Sequence, residues 1–252
     1  MTIPVLEVHP LTTLSFYAKE SQPEEDPSVA SRIQRLADQY EETGMRRSVE
    51  AVIVVHVSTT LPLSNSLPEQ SAGPRSSPHL DAPSRQRVLQ TASVPWSLTK
   101  SRLINLHSPG GYLDPSESDE EGLLARLVQQ IGPIGSMNPP KEPPAKKTRL
   151  SKKDKEKAAH KLGWSVGECL STWYRPHFDG FMYPYIPAHV SKPKEIRKLY
   201  LVNLAPDTYL SIPLNMKILA IPLFELYDNA ARYGPQLAGV PHILSRFQFS
   251  MN

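Results

Sequence analysis

Apolar residues along this chain fall into short runs with two different periods, separated by polar, proline-rich stretches. Residues 48–57, SVEAVIVVHV, are dense in β-branched side chains, which predicts a buried strand. KLYLVNL (198–204) and MKILAIPLFEL (216–226) each contain a further strand-like run, and RLINL (102–106) is a shorter one feeding a Gly-Gly loop. Helical spacing takes over at Val29, Ile33, Leu36 and Tyr40. Asp26-Pro27 predicts the opening of that helix, with Asp26 as cap and Pro27 at the first helical position, and Gly44 closes it. A second helix is marked by Ser118 and Glu121 as a capping box and by Asp119, Glu120 and Glu121 in the first turn, where the helix dipole favours negative charge. Leu123 or Leu124, Leu127, Val128 and Ile131 continue it, and Gly132 ends the run. QLAGVPHILSRFQF (236–249) reads as a last helix with Pro241 near its start. Strands mixed with a few helices, without strict alternation, predict an α+β or α/β sandwich.

Composition divides the chain further. Its 252 residues suffice for one sizeable domain or two small ones, but 26 prolines are unusual. Residues 58–101 are rich in Ser, Pro, Gln and Thr, and their prolines break every candidate element, so they read as a disordered insert. A second insert, 133–160, opens Pro-rich and continues Lys-rich. The expected organisation is 1–57 (extension, helix and first strands), 58–101 (insert), 102–132 (loop and helix), 133–160 (insert) and 161–252 (the remaining domain and C-terminal helix). Net charge is +3, yet between Lys141 and Lys161 nine Lys or Arg face three acids, so any basic patch is concentrated in one segment. That run suits a nuclear localisation signal or a nonspecific phosphate-binding arm, and equally a solvated linker. A transmembrane helix is not expected, for want of an 18-residue apolar run, nor a secretory signal at MTIPVLEVHP. The single cysteine, Cys169, fits a reducing compartment and reads as a small buried hydrophobe.

Chemistry enters at residues 108–132, SPGGYLDPSESDEEGLLARLVQQIG. They keep the frame of a Nudix box, which is Gly, five residues, Glu, seven residues, then Arg-Glu-apolar-x-Glu-Glu-x-Gly. Gly111, Glu117, Leu127 and Gly132 fall in register, but the Arg-Glu pair becomes Ala125-Arg126 and the Glu-Glu pair becomes Gln129-Gln130. In a Nudix hydrolase those helix carboxylates hold divalent ions that polarise a diphosphate, and a neutral amide is a far poorer ligand for a hard cation. A working hydrolase would have to recruit other acids, such as Glu117, Glu120 and Glu121. No histidine sits at metal-ligand spacing with a Cys or acid, and neither an HExxH nor a Walker sequence is present, so no metal and no cofactor are expected.

Longer blocks are more specific. GMRRSVEAVIVVH (44–56), YPYIPAHVSKPKE (183–195), PLFELYDNAARYGP (222–235) and LSRFQF (244–249) resemble the small Nudix subunit of pre-mRNA cleavage factor Im, also called the cleavage and polyadenylation specificity factor subunit 5 family. The resemblance covers about two thirds of the chain and is missing over both inserts. It implies an α/β class, a Nudix-like α/β/α sandwich with a mixed sheet. It further implies a nuclear, non-hydrolysing homodimer that binds RNA bearing UGUA upstream of poly(A) sites, with a larger partner subunit carrying an RRM and no membrane association.

Carried over position by position, the family's RNA contacts fall on Glu24, Arg32, Glu50, Tyr233 and Gly234. A carboxylate there can accept hydrogen bonds from base-edge N–H groups, Arg32 supplies a fork of donors, Tyr233 offers a ring face and a hydroxyl, and Gly234 lets the backbone approach the strand. Where the family carries a base-stacking Phe before Pro-Gly-Gly, this chain has Asn105 and Leu106, a departure that puts UGUA specificity in doubt. Trp96 is a remote substitute. The aromatics Trp173, Tyr174, Phe178, Phe181, Tyr183 and Tyr185 suit either a nucleic-acid platform or, as the resemblance implies for Tyr183, Tyr185 and Ile243, the surface that receives the large subunit. For Trp173, core packing is the simpler expectation.

Overall fold

The computed structural model describes residues 3–22, 26, 28–57, 85–93, 105–133, 162–178 and 181–251. Its centre is β3 (Arg46–Val57), the β-branched run read from the sequence. One edge of β3 is shared: β6 (Gly110–Leu113) pairs antiparallel with residues 47–50, and β4 (Arg85–Ser93) pairs antiparallel with 53–57. The other edge pairs parallel with β8 (Glu195–Asn203), and β7 (Ser165–Arg175) closes that side antiparallel to β8. β10 (Met216–Pro222) lies outside β4, and β5 (Asn105–His107) pairs with the end of β4, giving a mixed seven-stranded sheet. Two small parallel pairs flank it. β1 (Val5–Val8) lies against β11 (Gln248–Met251), and β2 (Ser15–Lys19) against β9 (Tyr209–Pro213).

Strand period two splits the core into two faces. Val49, Ala51, Ile53 and Val55 of β3, with Tyr200 and Val202 of β8, pack on α2 (Asp119–Ile131) through Leu123, Leu124, Leu127 and Ile131. Val52, Leu199 and Leu201 point the other way, onto three short C-terminal helices: α3 (Leu223–Leu226), α4 (Ala230–Ala238) and α5 (Val240–Leu244). Sheet and helices thus form the expected α/β/α sandwich. The helix α1 (Val29–Thr43) precedes β3 and ends at Gly44, whose φ of 77° and ψ of -150° form a backbone conformation that glycine adopts freely and other residues rarely do. At α2, the Ser118 hydroxyl accepts the Glu121 N–H at 3.3 Å, as the capping box predicts.

Five expectations are corrected. The cap of α1 is Ser28, whose hydroxyl accepts the Ser31 N–H at 3.2 Å, while Asp26 instead grips Arg35 through both carboxylate oxygens at 2.6 and 2.9 Å. Val29, placed on the apolar face, is 70% exposed, because the first turn of α1 overhangs the core and only Leu36 is fully buried. Residues 85–93, inside the stretch read as broken by proline, form β4; the proline-free run RQRVLQTAS gains ladder hydrogen bonds from β3 and β10 on both edges. The last segment is not one helix. Pro241 sits in the first turn of a new helix, where its missing N–H costs nothing, and Gln248–Met251 leaves the helix to pair with Val5–Val8. Cys169, read as buried, is exposed at a β7 register shift, its thiol 3.7 Å from the Ser171 carbonyl oxygen. Trp173 is buried as core packing predicts, and its indole N–H donates to the Ser171 hydroxyl at 3.0 Å.

Candidate RNA-binding face and the altered Nudix box

The box residues come together where β6 meets α2, but they are bonded to one another. Arg126, standing where the box has a glutamate, takes Glu117 with two guanidinium nitrogens at 2.9 and 3.4 Å and donates from Nε to the Tyr112 carbonyl at 2.9 Å. Gly111 is the surface under that guanidinium stem: a Cβ there would meet the Arg126 side chain at 3.6 Å. Gln130 grips the backbone of Gly110 at two points, accepting its N–H at 2.9 Å and donating to its carbonyl. Gly110 itself approaches β3 so closely that a Cβ would lie 2.1 Å from the Val49 carbonyl oxygen. Ala125 is buried in the core, Gln129 is exposed, and Gly132 ends α2 by donating to the carbonyls of Leu127 and Val128 at 3.1 Å.

A catalytic divalent ion does not fit this donor set. Its one surviving box acid, Glu117, is neutralised by Arg126. A second cation, Lys19, donates to the Gln129 carbonyl at 2.8 Å, and burial holds its pKa down at about 8. Glu120 and Glu121 are exposed on the first turn of α2, away from these positions. Among the described residues no group of three or more His, Cys, Asp or Glu is placed to hold a metal ion.

A different polar cluster lies on the opposite face of the sheet, at the β3 start. Register puts Arg46, Ser48 and Glu50 of β3 beside Glu195 and Arg197 of β8, with Tyr112 of β6 across from Ser48 and Arg175 of β7 across from Glu195. Arg197 bridges Glu50 at 2.8 Å and Glu195 at 3.1 Å; Arg175 and the Ser48 hydroxyl donate to Glu195 at 3.0 and 2.8 Å. Burial pushes the Glu50 carboxyl up, and Arg197 only partly offsets it. Glu195 is also pushed up by burial, but Arg197, Arg175 and Ser48 outweigh that and hold it below the usual range. Glu50 keeps 13% of its side chain exposed at the rim of the cluster.

The sequence-derived RNA residues divide accordingly. Arg197 also reaches Gln236 of α4, with Nη1 3.5 Å from Oε1, and this ties Glu50 to the helix that carries Tyr233 and Gly234. Gly234 breaks α4 with φ 81° and ψ 160°, a conformation essentially reserved for glycine, and a Cβ there would meet open space. The Tyr233 hydroxyl donates to Glu225, and burial followed by that carboxylate pushes its pKa up to about 12. Arg32 is exposed on α1, one turn before Arg35. Asn105 lies in β5 opposite Ser93, and Glu24 and Trp96 lie outside the described residues, as does the basic run 141–161.

Tyr183 and Tyr185 are 37% and 58% exposed with ring centroids 5.8 Å apart, while Ile243 is half-buried against the core beneath the C-terminal helices. Sequence reasoning missed Arg197 and Glu195, the centre of the buried network. Alternation along KEIRKLYLV places both on the face of Leu199 and Leu201, a signal legible only once the strand is paired.

Comparison with known proteins agrees with this architecture. A family model described as a nucleotide hydrolase, NUDIX_2, matches residues 4–63 and 90–247. Over 98% of its length the chain is 36% identical to 96% of "Pre-mRNA cleavage factor Im 25 kDa subunit 2" from Arabidopsis thaliana. Over 99% it is 28% identical to 97% of "Cleavage and polyadenylation specificity factor subunit 5" from Dictyostelium discoideum. A Nudix hydrolase structure from Nitrosomonas europaea covers 80% of the chain, and 87% of its own, at 12% identity and a TM-score of 0.33, too loose a likeness to bear on function. The chain belongs to the Nudix family, among the small subunits of pre-mRNA cleavage factor Im.

Proposed function

We propose that this protein is a non-hydrolysing RNA-binding subunit of the pre-mRNA cleavage and polyadenylation machinery, acting in the nucleus on UGUA-type elements. Its relatives' names supply the process. The observation that carries the RNA reading is Glu50, a rim carboxylate held by Arg197 and linked through Gln236 to the helix bearing Tyr233 and Gly234. A carboxylate repels phosphate but accepts base-edge N–H groups, so this position suits a base rather than a backbone. Arg32 and the Tyr233 ring complete the contacts the family resemblance assigns. Binding positions the RNA and breaks no bond. Dimerisation and recruitment of an RRM-bearing partner, with Tyr183, Tyr185 and Ile243 at its surface, belong to the same proposal.

Fluorescence anisotropy with a short UGUA RNA and a scrambled control, at near-physiological salt, tests it. A preference for UGUA that falls roughly tenfold in Glu50→Ala and in Arg32→Ala is expected, within the about 1–3 kcal/mol of a good base contact. Equal, weak binding that disappears with salt would reduce the protein to a scaffold for its partner, the outcome that the non-aromatic Asn105 favours. Mg²⁺-dependent phosphate release from a nucleoside diphosphate-linked substrate would instead restore the hydrolase reading.

A further inference from the structure

A cavity of about 390 Å³ opens beside the Glu50 strand, between α1 and the β3–β6 pair, and Arg35, Glu42, Arg46, Arg47, Tyr112 and Asp114 are among its walls. That volume lies at the low end of small-ligand sites. Its three arginines differ in what they already hold. Arg35 is held by Asp26 at 2.6 Å, and Arg47 by Asp119 at 2.6 Å and the Glu117 carbonyl at 2.7 Å. The Arg46 guanidinium carbon sits over the Tyr112 ring, 3.6 Å from its centroid, and its Nη1 has no hydrogen-bond partner among the described residues. A buried donor without a partner costs free energy, which an arriving acceptor recovers. Tyr112 remains 40% exposed, so one side of the ring carries the arginine and part of it stays open.

This pair is continuous with the face described above. Tyr112 stands across from Ser48, two residues along β3 from Glu50 and on the same side of the sheet, roughly 7 Å away along the strand. We propose that Tyr112 and Arg46 form a subsite for a nucleotide flanking the element read at Glu50, with its base stacked on the open part of the Tyr112 ring and its phosphate held by Arg46. Arginine over an aromatic ring continues a stack while offering in-plane donors to phosphate, and bases of any identity stack on such a platform. The subsite therefore adds affinity without adding sequence preference. It rests on the RNA-binding reading and extends it beyond the four-base element.

The test compares two RNAs by anisotropy, the bare four-nucleotide element and the same element extended by several nucleotides on each side. Variants are Tyr112→Ala, Tyr112→Phe and Arg46→Gln, with Glu50→Ala as the control and circular-dichroism melts to verify folding. Tyr112→Ala is expected to weaken the extended RNA roughly fivefold or more, the lower end of one base–aromatic stack, and to leave the bare element unchanged. Tyr112→Phe keeps wild-type affinity, and Arg46→Gln lowers the slope of log K against log salt by about 0.7, the value for one single-strand phosphate contact. If Tyr112→Ala binds the extended RNA like wild type while Glu50→Ala loses its preference, the subsite is wrong and the RNA reading stands. A loss shared equally by both RNAs also overturns the subsite. If the wild-type protein prefers neither RNA over a scrambled one, the RNA reading fails and takes the subsite with it.

Discussion

Glu50 departs from what a surface carboxylate would show. Burial raises its folded-state pKa above the ordinary 4.5. A raised carboxyl contributes stability that is fully present below the unfolded value and lost as pH rises through the folded one. Glu50→Gln should therefore melt higher than wild type at neutral and alkaline pH, by a few degrees if the penalty relieved is about 1 kcal/mol, and the gap should close below pH 4.5. Glu195 has the opposite sign. Its depressed pKa stabilises above the unfolded value and is lost as pH falls through the folded one, so acid destabilisation should persist in Glu50→Gln. Melting curves from pH 4 to pH 8 decide the matter, and a gap that widens toward acid would contradict the assignment. If RNA preference falls in the same variant, a strained group is being retained for binding at the expense of stability.

At the scale of elements, the junction of β6 and α2 shows how a Nudix frame is kept with its box positions filled by Arg126 and Gln130. Gln130 uses both ends of its amide on Gly110, which fastens the helix to the strand that pairs with Glu50. A carboxylate has no proton to give the Gly110 carbonyl. Gln130→Glu should thus cost about 1–3 kcal/mol by urea unfolding and should not produce Mg²⁺-dependent hydrolysis, since Arg126 still neutralises Glu117. Hydrolysis gained by that single change would mean that Arg126 yields to a metal. Capping chemistry was legible at this scale: Ser118-Glu121 and Gly132 bound α2 as expected, because those signals act within one turn. For α1 the cap was missed by two residues, since Asp26 found a stronger partner in Arg35 than a helix N–H.

Over the whole molecule, charge and shape are divided between parts of the chain. The Glu50 face balances its acids against Arg175 and Arg197, whereas nine of the 28 Lys and Arg lie between Lys141 and Lys161. If the Glu50 face reads bases and the basic run 141–161 touches phosphate, as proposed, the two should respond differently to salt. Replacing the lysines and arginines of 141–161 by glutamine is expected to flatten the salt dependence of RNA binding and leave the ratio of UGUA to scrambled affinity unchanged. A collapse of that ratio would place sequence recognition in that basic run. Among the described residues no helix is long and apolar enough to cross a membrane.

The sequence by itself determined the β-branched centre of the sheet, the bounds of α2, the loss of the box acids and the family, since each is written in local pattern or in long contiguous blocks. It could not determine β4 or β11, whose modest strand signals are decided by partners far away in the chain. Nor could it determine that Glu50, Glu195 and Arg197 share one face with Tyr112, or that Arg126 and Gln130 fill the box from within. Those facts depend on strand register, which places residues more than a hundred positions apart within hydrogen-bond distance, and on the burial that gives such contacts their strength.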